Sequence, residues 1–179
     1  MIFVQDYGNQ SLFIILFLSI IAACLLGASI MDLKTCTVYN YIWWVMGAAG
    51  IVRLLVRRVF LESQQIKDVP IERLYIESMG GENVWISLFI FILLQELFFC
   101  RMYGRADCHG FAACALVGAT WGMGLKEHLL HMLIAFGLLG VVQLMKGNVG
   151  RNGNLKKPVP FIPYLTVAFW VNLGAYLCV

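Results

Sequence analysis

Residues Ser11 to Asp32 read SLFIILFLSIIAACLLGASIMD, an apolar run without a charge that ends on a carboxylate. A helix needs about 20 apolar residues to cross roughly 30 Å of hydrocarbon, so Ser11–Met31 predicts a membrane-spanning helix. The run is longer than the ~7–15 residues of a signal-peptide core, and Met1–Gln10 supplies no Lys or Arg before it. It is therefore expected to stay in the mature protein, with Asp32 at its end.

The rest of the chain has the same character. Over 179 residues, 61% are hydrophobic and 13% charged, and the mean hydropathy is +0.81, too apolar for a water-soluble domain of this size. Further apolar runs cover Tyr39–Val56, Val84–Arg101, Gly110–Gly124, His128–Met145 and Val159–Val179, the run from Gly110 being the shortest. No repeat interrupts them. The expectation is a single all-α integral membrane domain over residues 1–179, a bundle of about six transmembrane helices.

Orientation follows from Lys and Arg, which are enriched in short cytoplasmic loops. With the N-terminus outside, the inner loops carry Lys34, Arg101, Arg105, Lys146, Arg151, Lys156 and Lys157, while acids offset the basic residues on the outer side. This places the chain as a multi-pass protein of the cell inner (plasma) membrane. Trp43, Trp44, Trp85 and Trp121 are expected at the interfaces. In the outer polar connection, Ile66, Val69, Ile71, Leu74 and Ile76 suggest an amphipathic piece on the membrane surface. The inner GNVGRNGN lacks the Gly-Lys-Ser/Thr ending of a phosphate loop and reads as a basic anchor against anionic lipid. Nothing suggests nucleic acid. The six cysteines form no C-x-x-C pair, so they are expected to be reduced packing thiols.

The second informative stretch is GRADCHG, Gly104–Gly110, which sets Asp107 at the mouth of the fourth run. Both Asp32 and Asp107 then fall at the cytoplasmic face. Alone, each is an ordinary interfacial charge; at a helix centre a carboxylate costs about 2.5–3.5 kcal/mol on insertion scales, and much less at an end. Together they allow more. Two adjacent carboxyls do not ionise independently, so one stays protonated while the other is charged. That is an acid and a base in one site, the arrangement of aspartic proteases, and it needs neither metal nor cofactor. Gly104 serves either to let a substrate backbone come close or to allow a positive-φ turn before the next helix.

These residues resemble the type IV prepilin peptidases, in particular the short forms of Flp or tight-adherence pilus systems. The family's D-x-x-x-x-x-I/V-P-N is matched by DLKTCTVYN, with Asp32, Val38 and Asn40 in register. Its G-x-G-D-x-K is matched by GRADCH, and its Pro-Phe-x-Pro-Tyr by VPFIPYL, Val159–Leu165. The three blocks stand in the family's order. Tyr39, Ala106 and His109 depart from it, replacing a proline, a glycine and a lysine. If the Ala106 position needed positive φ, alanine would be strained there, so an ordinary backbone is expected. The resemblance implies an aspartyl endopeptidase with Asp32 and Asp107 as catalytic pair. It also implies a prepilin or pseudopilin substrate with a short leader peptide, cut at the cytoplasmic surface of the lipid bilayer. Longer members also carry a methyltransferase portion with paired cysteines; these residues hold no such pairs, so methylation of the new N-terminus is not expected.

Several residues stay open. Glu96, in LLQELFFC, either tunes the aspartates, contacts the leader, or hydrogen-bonds within the bundle. His109 keeps part of a lysine's role only when protonated. Asn40 either starts the second helix or bonds Asp32. His128 and His131 have ligand-like spacing without a third ligand in sight. Gly47, Gly50, Gly118 and Gly122 are expected as helix-packing positions. The alternatives to a peptidase are a diverged, non-cleaving pilus assembly partner and a small proton-coupled transporter using Asp32, Asp107 and Glu96. A presenilin-type protease is disfavoured by the missing Tyr-Asp and Pro-Ala-Leu elements.

Overall fold

A computed structural model describes residues 2–64, 84–148 and 159–178, and the described residues are helical or in short turns. Six helices follow one another: α1 (Ile2–Thr35), α2 (Asn40–Gln64), α3 (Val84–Leu94), α4 (Arg105–Ala119), α5 (Leu125–Met145) and α6 (Ile162–Cys178). Helix α3 runs on through a π-helical turn, Gln95–Phe99, and a last turn, Cys100–Tyr103. Two stretches, Leu12–Thr35 and Leu125–Met145, are long and apolar enough to cross a membrane; the apolar parts of α2, α3 and α6 are shorter. The expected amphipathic piece (Ile66–Ile76) and most of the basic inner loop, with Arg151, Lys156 and Lys157, lie outside the described residues.

Helix α4 is the hub and packs on α2, α3, α5 and α6. Its sequence RADCHGFAACALVGA explains why. Small residues on every side let four neighbours approach, and Cys108, Gly110, Ala113, Cys114, Ala115 and Gly118 are among those buried. A methyl group on Gly110 would sit 3.2 Å from both the Trp43 ring and Leu165. Gly50 meets Leu116 in the same way, at 3.3 Å. Trp43 is thus buried against α4, whereas Trp44 and Trp85 are exposed.

The run from Gly110 does not continue as helix to Gly124. It ends at Ala119, because the backbone reverses: the N–H groups of Trp121 and Met123 both donate to the Gly118 carbonyl, at 2.9 and 3.2 Å, and Gly122 has φ of 95°. Gly122 is therefore a turn glycine, not a packing position. At 15 residues, α4 rises only about 22 Å.

The surface is unusually apolar and the interior unusually polar. Large side chains such as Leu12, Trp44, Phe89, Leu133 and Val171 are exposed on the five outer helices, while Ser29, His131, Gln143, Thr166 and Asn172 are buried. The buried polar groups tie helices together. Ser29 and Thr166 share a hydroxyl hydrogen bond of 2.9 Å between α1 and α6. The His131 imidazole Nε2 lies 3.1 Å from the Leu165 carbonyl, and the Asn172 amide donates to the Glu127 carbonyl at 2.9 Å.

Candidate functional site

On α1 the residues facing the core are Phe17, Ile21, Leu25, Ala28 and then Asp32. The spacing of three and four keeps them on one helix face, so Asp32 continues the buried stripe and is only 6% exposed. The carboxylate meets the start of α6. Its Oδ2 accepts the Ile162 N–H at 2.8 Å, and the Phe161 N–H also bonds it. The first N–H groups of a helix have no partner within it and carry partial positive charge, so a carboxylate there satisfies both sides. Just beyond, the Cys36 N–H donates to the Asp32 carbonyl at 2.8 Å, and Cys36 takes a positive φ of 50° as the chain turns into α2.

Asp107 arrives from the other side, in the first turn of α4. Gly104 separates α4 from the end of α3 with φ 98° and ψ 152°, a region essentially restricted to glycine. This settles its structural use: it makes the turn. It also leaves the backbone bare beside the carboxyl, since a Cβ on Gly104 would lie 4.0 Å from Asp107 Oδ2. Ala106 has no positive φ, as its side chain requires. The Cys108 N–H donates to the Gly104 carbonyl at 3.3 Å, closing the first helical turn around Asp107.

The two aspartates, distant in the chain, are near enough for the charge of Asp32 to act on Asp107. Burial and then the neighbouring Asp32 charge push the Asp107 carboxyl up to about 7, both by disfavouring its charged form. Asp107 precedes the apolar part of α4 and is half-buried.

The supporting residues divide. Glu96, in the π-helical turn, lies 3.9 Å from His109 Nε2; both are well exposed, at 54% and 40%. The Cys100 thiol is 3.8 Å from the Glu96 carboxylate, and the Cys108 thiol donates to the Gln95 carbonyl at 3.6 Å. Glu96 and His109 therefore form a rim pair beside Asp107 without entering the carboxyl pair. Asn40 opens α2, exposed, and makes no bond to Asp32 among the described residues, which leaves it as a helix-start residue. His128 and His131 are buried, and among the described residues no group of three His, Cys, Asp or Glu is arranged to hold a metal ion.

Two features escaped sequence reasoning. The backbone donors at Phe161 and Ile162 carry no side-chain signature, although the prolines of VPFIPYL mark a helix start. Arg53, only 8% exposed, stacks over Trp121 and Phe17 with its guanidinium carbon 3.5 and 4.7 Å from the ring centroids. Its signal was a charge inside the second apolar run. The chain matches no protein-family model, no curated protein and no solved structure.

Proposed function

We propose that the chain is a multi-pass membrane aspartyl endopeptidase that removes the leader peptide from prepilin-like proteins at the cytoplasmic face of the inner membrane. The observation that carries this reading is the Asp32–Asp107 encounter: burial and then the Asp32 charge raise Asp107 to about 7, so that near neutrality the pair holds one proton between them. Supporting it, the exposed apolar side chains of the five outer helices suit lipid, since contiguous apolar surface of this kind marks a membrane or partner contact. All six helices then belong to the membrane-embedded bundle.

In this reading the charged carboxyl takes a proton from water, and the water oxygen attacks the scissile carbonyl. The protonated carboxyl supports the developing oxyanion. The bare backbone at Gly104 gives an extended substrate strand room beside Asp107. The substrate's apolar helix stays in lipid while its leader reaches the rim, where Glu96 and His109 stand.

Co-expression with a candidate prepilin and detection of the shortened product on a gel tests the reading. Cleavage is expected to vanish in Asp32→Asn and in Asp107→Asn. Cleavage that survives both substitutions would falsify the mechanism, because an amide neither takes the water's proton nor shares one.

One observation favours a second reading. The bond from Ile162 to Asp32 accounts for a buried aspartate as a tie between α1 and α6, as a non-cleaving assembly partner would retain. That partner would bind prepilin unchanged, and Asp107→Asn would leave binding intact.

A further inference from the structure

We infer that the two carboxyls are unequal before any substrate arrives: Asp107 holds the resting proton, and Asp32, clamped by the first N–H groups of α6, is the charged member. The catalytic half of this assignment rests on the peptidase reading; the resting asymmetry does not.

The geometry is one-sided. Asp32 accepts hydrogen bonds from two backbone donors, the Ile162 N–H at 2.8 Å and the Phe161 N–H. Backbone N–H groups donate only, so they favour a carboxylate over a carboxylic acid. They also stand at the positive end of the α6 dipole. Asp107 is half-buried and accepts no comparable donor among the described residues, while facing a charge of its own sign. The other ionisable groups at this end include Lys34 on α1, Glu96, Cys100 and Arg101 at the end of α3, and Arg105, Cys108 and His109 on its own helix. Among the described residues at the same end, the turn before α2, α2 itself and α6 offer Tyr39, Tyr41 and Tyr164. Of the charged groups, Asp32 opposes a charge on Asp107. The direction of its shift, up to about 7, agrees.

The assignment fixes a proton path. The Asp32 carboxylate takes one proton from water as the water oxygen bonds to the carbonyl carbon, and the Asp107 proton passes to the new oxyanion. As the C–N bond breaks, Asp32 returns its proton to the amine nitrogen. In the same collapse one hydroxyl of the tetrahedral intermediate gives its proton to Asp107 as its oxygen becomes the new carbonyl. Both groups end as they began.

The test is infrared titration of the protonated-carboxyl band of the full chain in lipid nanodiscs. The native protein is expected to lose a band with a midpoint near 7. Asp107→Asn should abolish that transition. Asp32→Asn should keep it and move it toward acid, because a like charge is gone. A transition near 7 that persists in Asp107→Asn overturns the assignment. The clamp is tested separately with Ile162→Pro, which removes the N–H at a position where a helix tolerates proline. Ile162→Ala keeps the N–H and loses the same packing. The Asp32 transition should move toward neutrality in the proline variant only; equal behaviour of the two refutes the clamp. Failure of the native chain to cleave any prepilin would sink the peptidase reading and leave these band positions to decide the asymmetry.

Discussion

The two ends of α4 bury charge in opposite ways. At its C-terminal end Arg53 is 8% exposed, held against the rings of Trp121 and Phe17, whose negative faces complement a cation. At its N-terminal end Asp32 is 6% exposed and lies beside a second acid instead of a cation. Burial is almost equal, so burial alone does not separate architecture from chemistry. The difference lies in the partners. A charge surrounded by complementary groups stabilises one arrangement, whereas two like charges persist together only by sharing a proton, which leaves a group poised to give or take one.

The largest expected effect breaks this comparison at the acidic end. Asp32→Asn and Asp107→Asn should each reduce prepilin cleavage at least about a thousandfold, the scale of losing a general acid or base together with its partner. The folded population in detergent should stay intact. Arg53→Met should do the reverse, lowering stability by about 1–2 kcal/mol through lost cation–π contact while each folded molecule cleaves at the native rate. If Arg53→Met stops cleavage without unfolding the protein, the division between the two ends is wrong.

Next in size are the glycines that shape the acidic end. Gly104→Ala should cost about 1–3 kcal/mol, because φ 98° with ψ 152° belongs to a region that alanine avoids; the space around it is open, so the strain is in the backbone. Gly110→Ala should cost about 1–3 kcal/mol by overpacking, as the new methyl meets the Trp43 ring and Leu165 at 3.2 Å. Thermal unfolding in detergent measures both. Gly27→Ala, with nothing within 4 Å of the added methyl, is the control. A Gly104→Ala protein as stable as the control would mean the turn readily adopts another shape.

Much of this was legible in the sequence, for physical reasons particular to each element. Helix positions followed from apolar run length, because lipid and core both demand it. Asp32 was visible as the carboxylate that ends an uncharged apolar run, and Asp107 as a charge behind a glycine. Their meeting was not legible, since nothing local to either residue encodes packing between α1, α4 and α6. The donors from Phe161 and Ile162 stayed hidden because every residue but proline has an N–H. The burial of Trp43 stayed hidden because an aromatic near a helix end reads the same whether it faces lipid or Gly110. The extent of the fourth run was overestimated because Gly122 looks like a packing glycine until its φ is known.

The smallest effect sharpens the comparison through pH. An unfolded aspartate titrates near 3.9, whereas Asp107 in the folded protein does so at about 7, so the folded state binds the proton more tightly. The stability this provides is complete below about pH 4 and is lost as pH rises through 7. Asp107→Asn removes the titration and nearly preserves the shape, so its unfolding temperature should fall less than that of the native protein across this window. Arg53 stays charged throughout, so Arg53→Met should leave the native pH slope unchanged while lowering the whole curve. Parallel native and Asp107→Asn curves would mean that Asp107 is ionised in the folded state like any surface acid, and the acidic end would lose the property that sets it apart from the basic one.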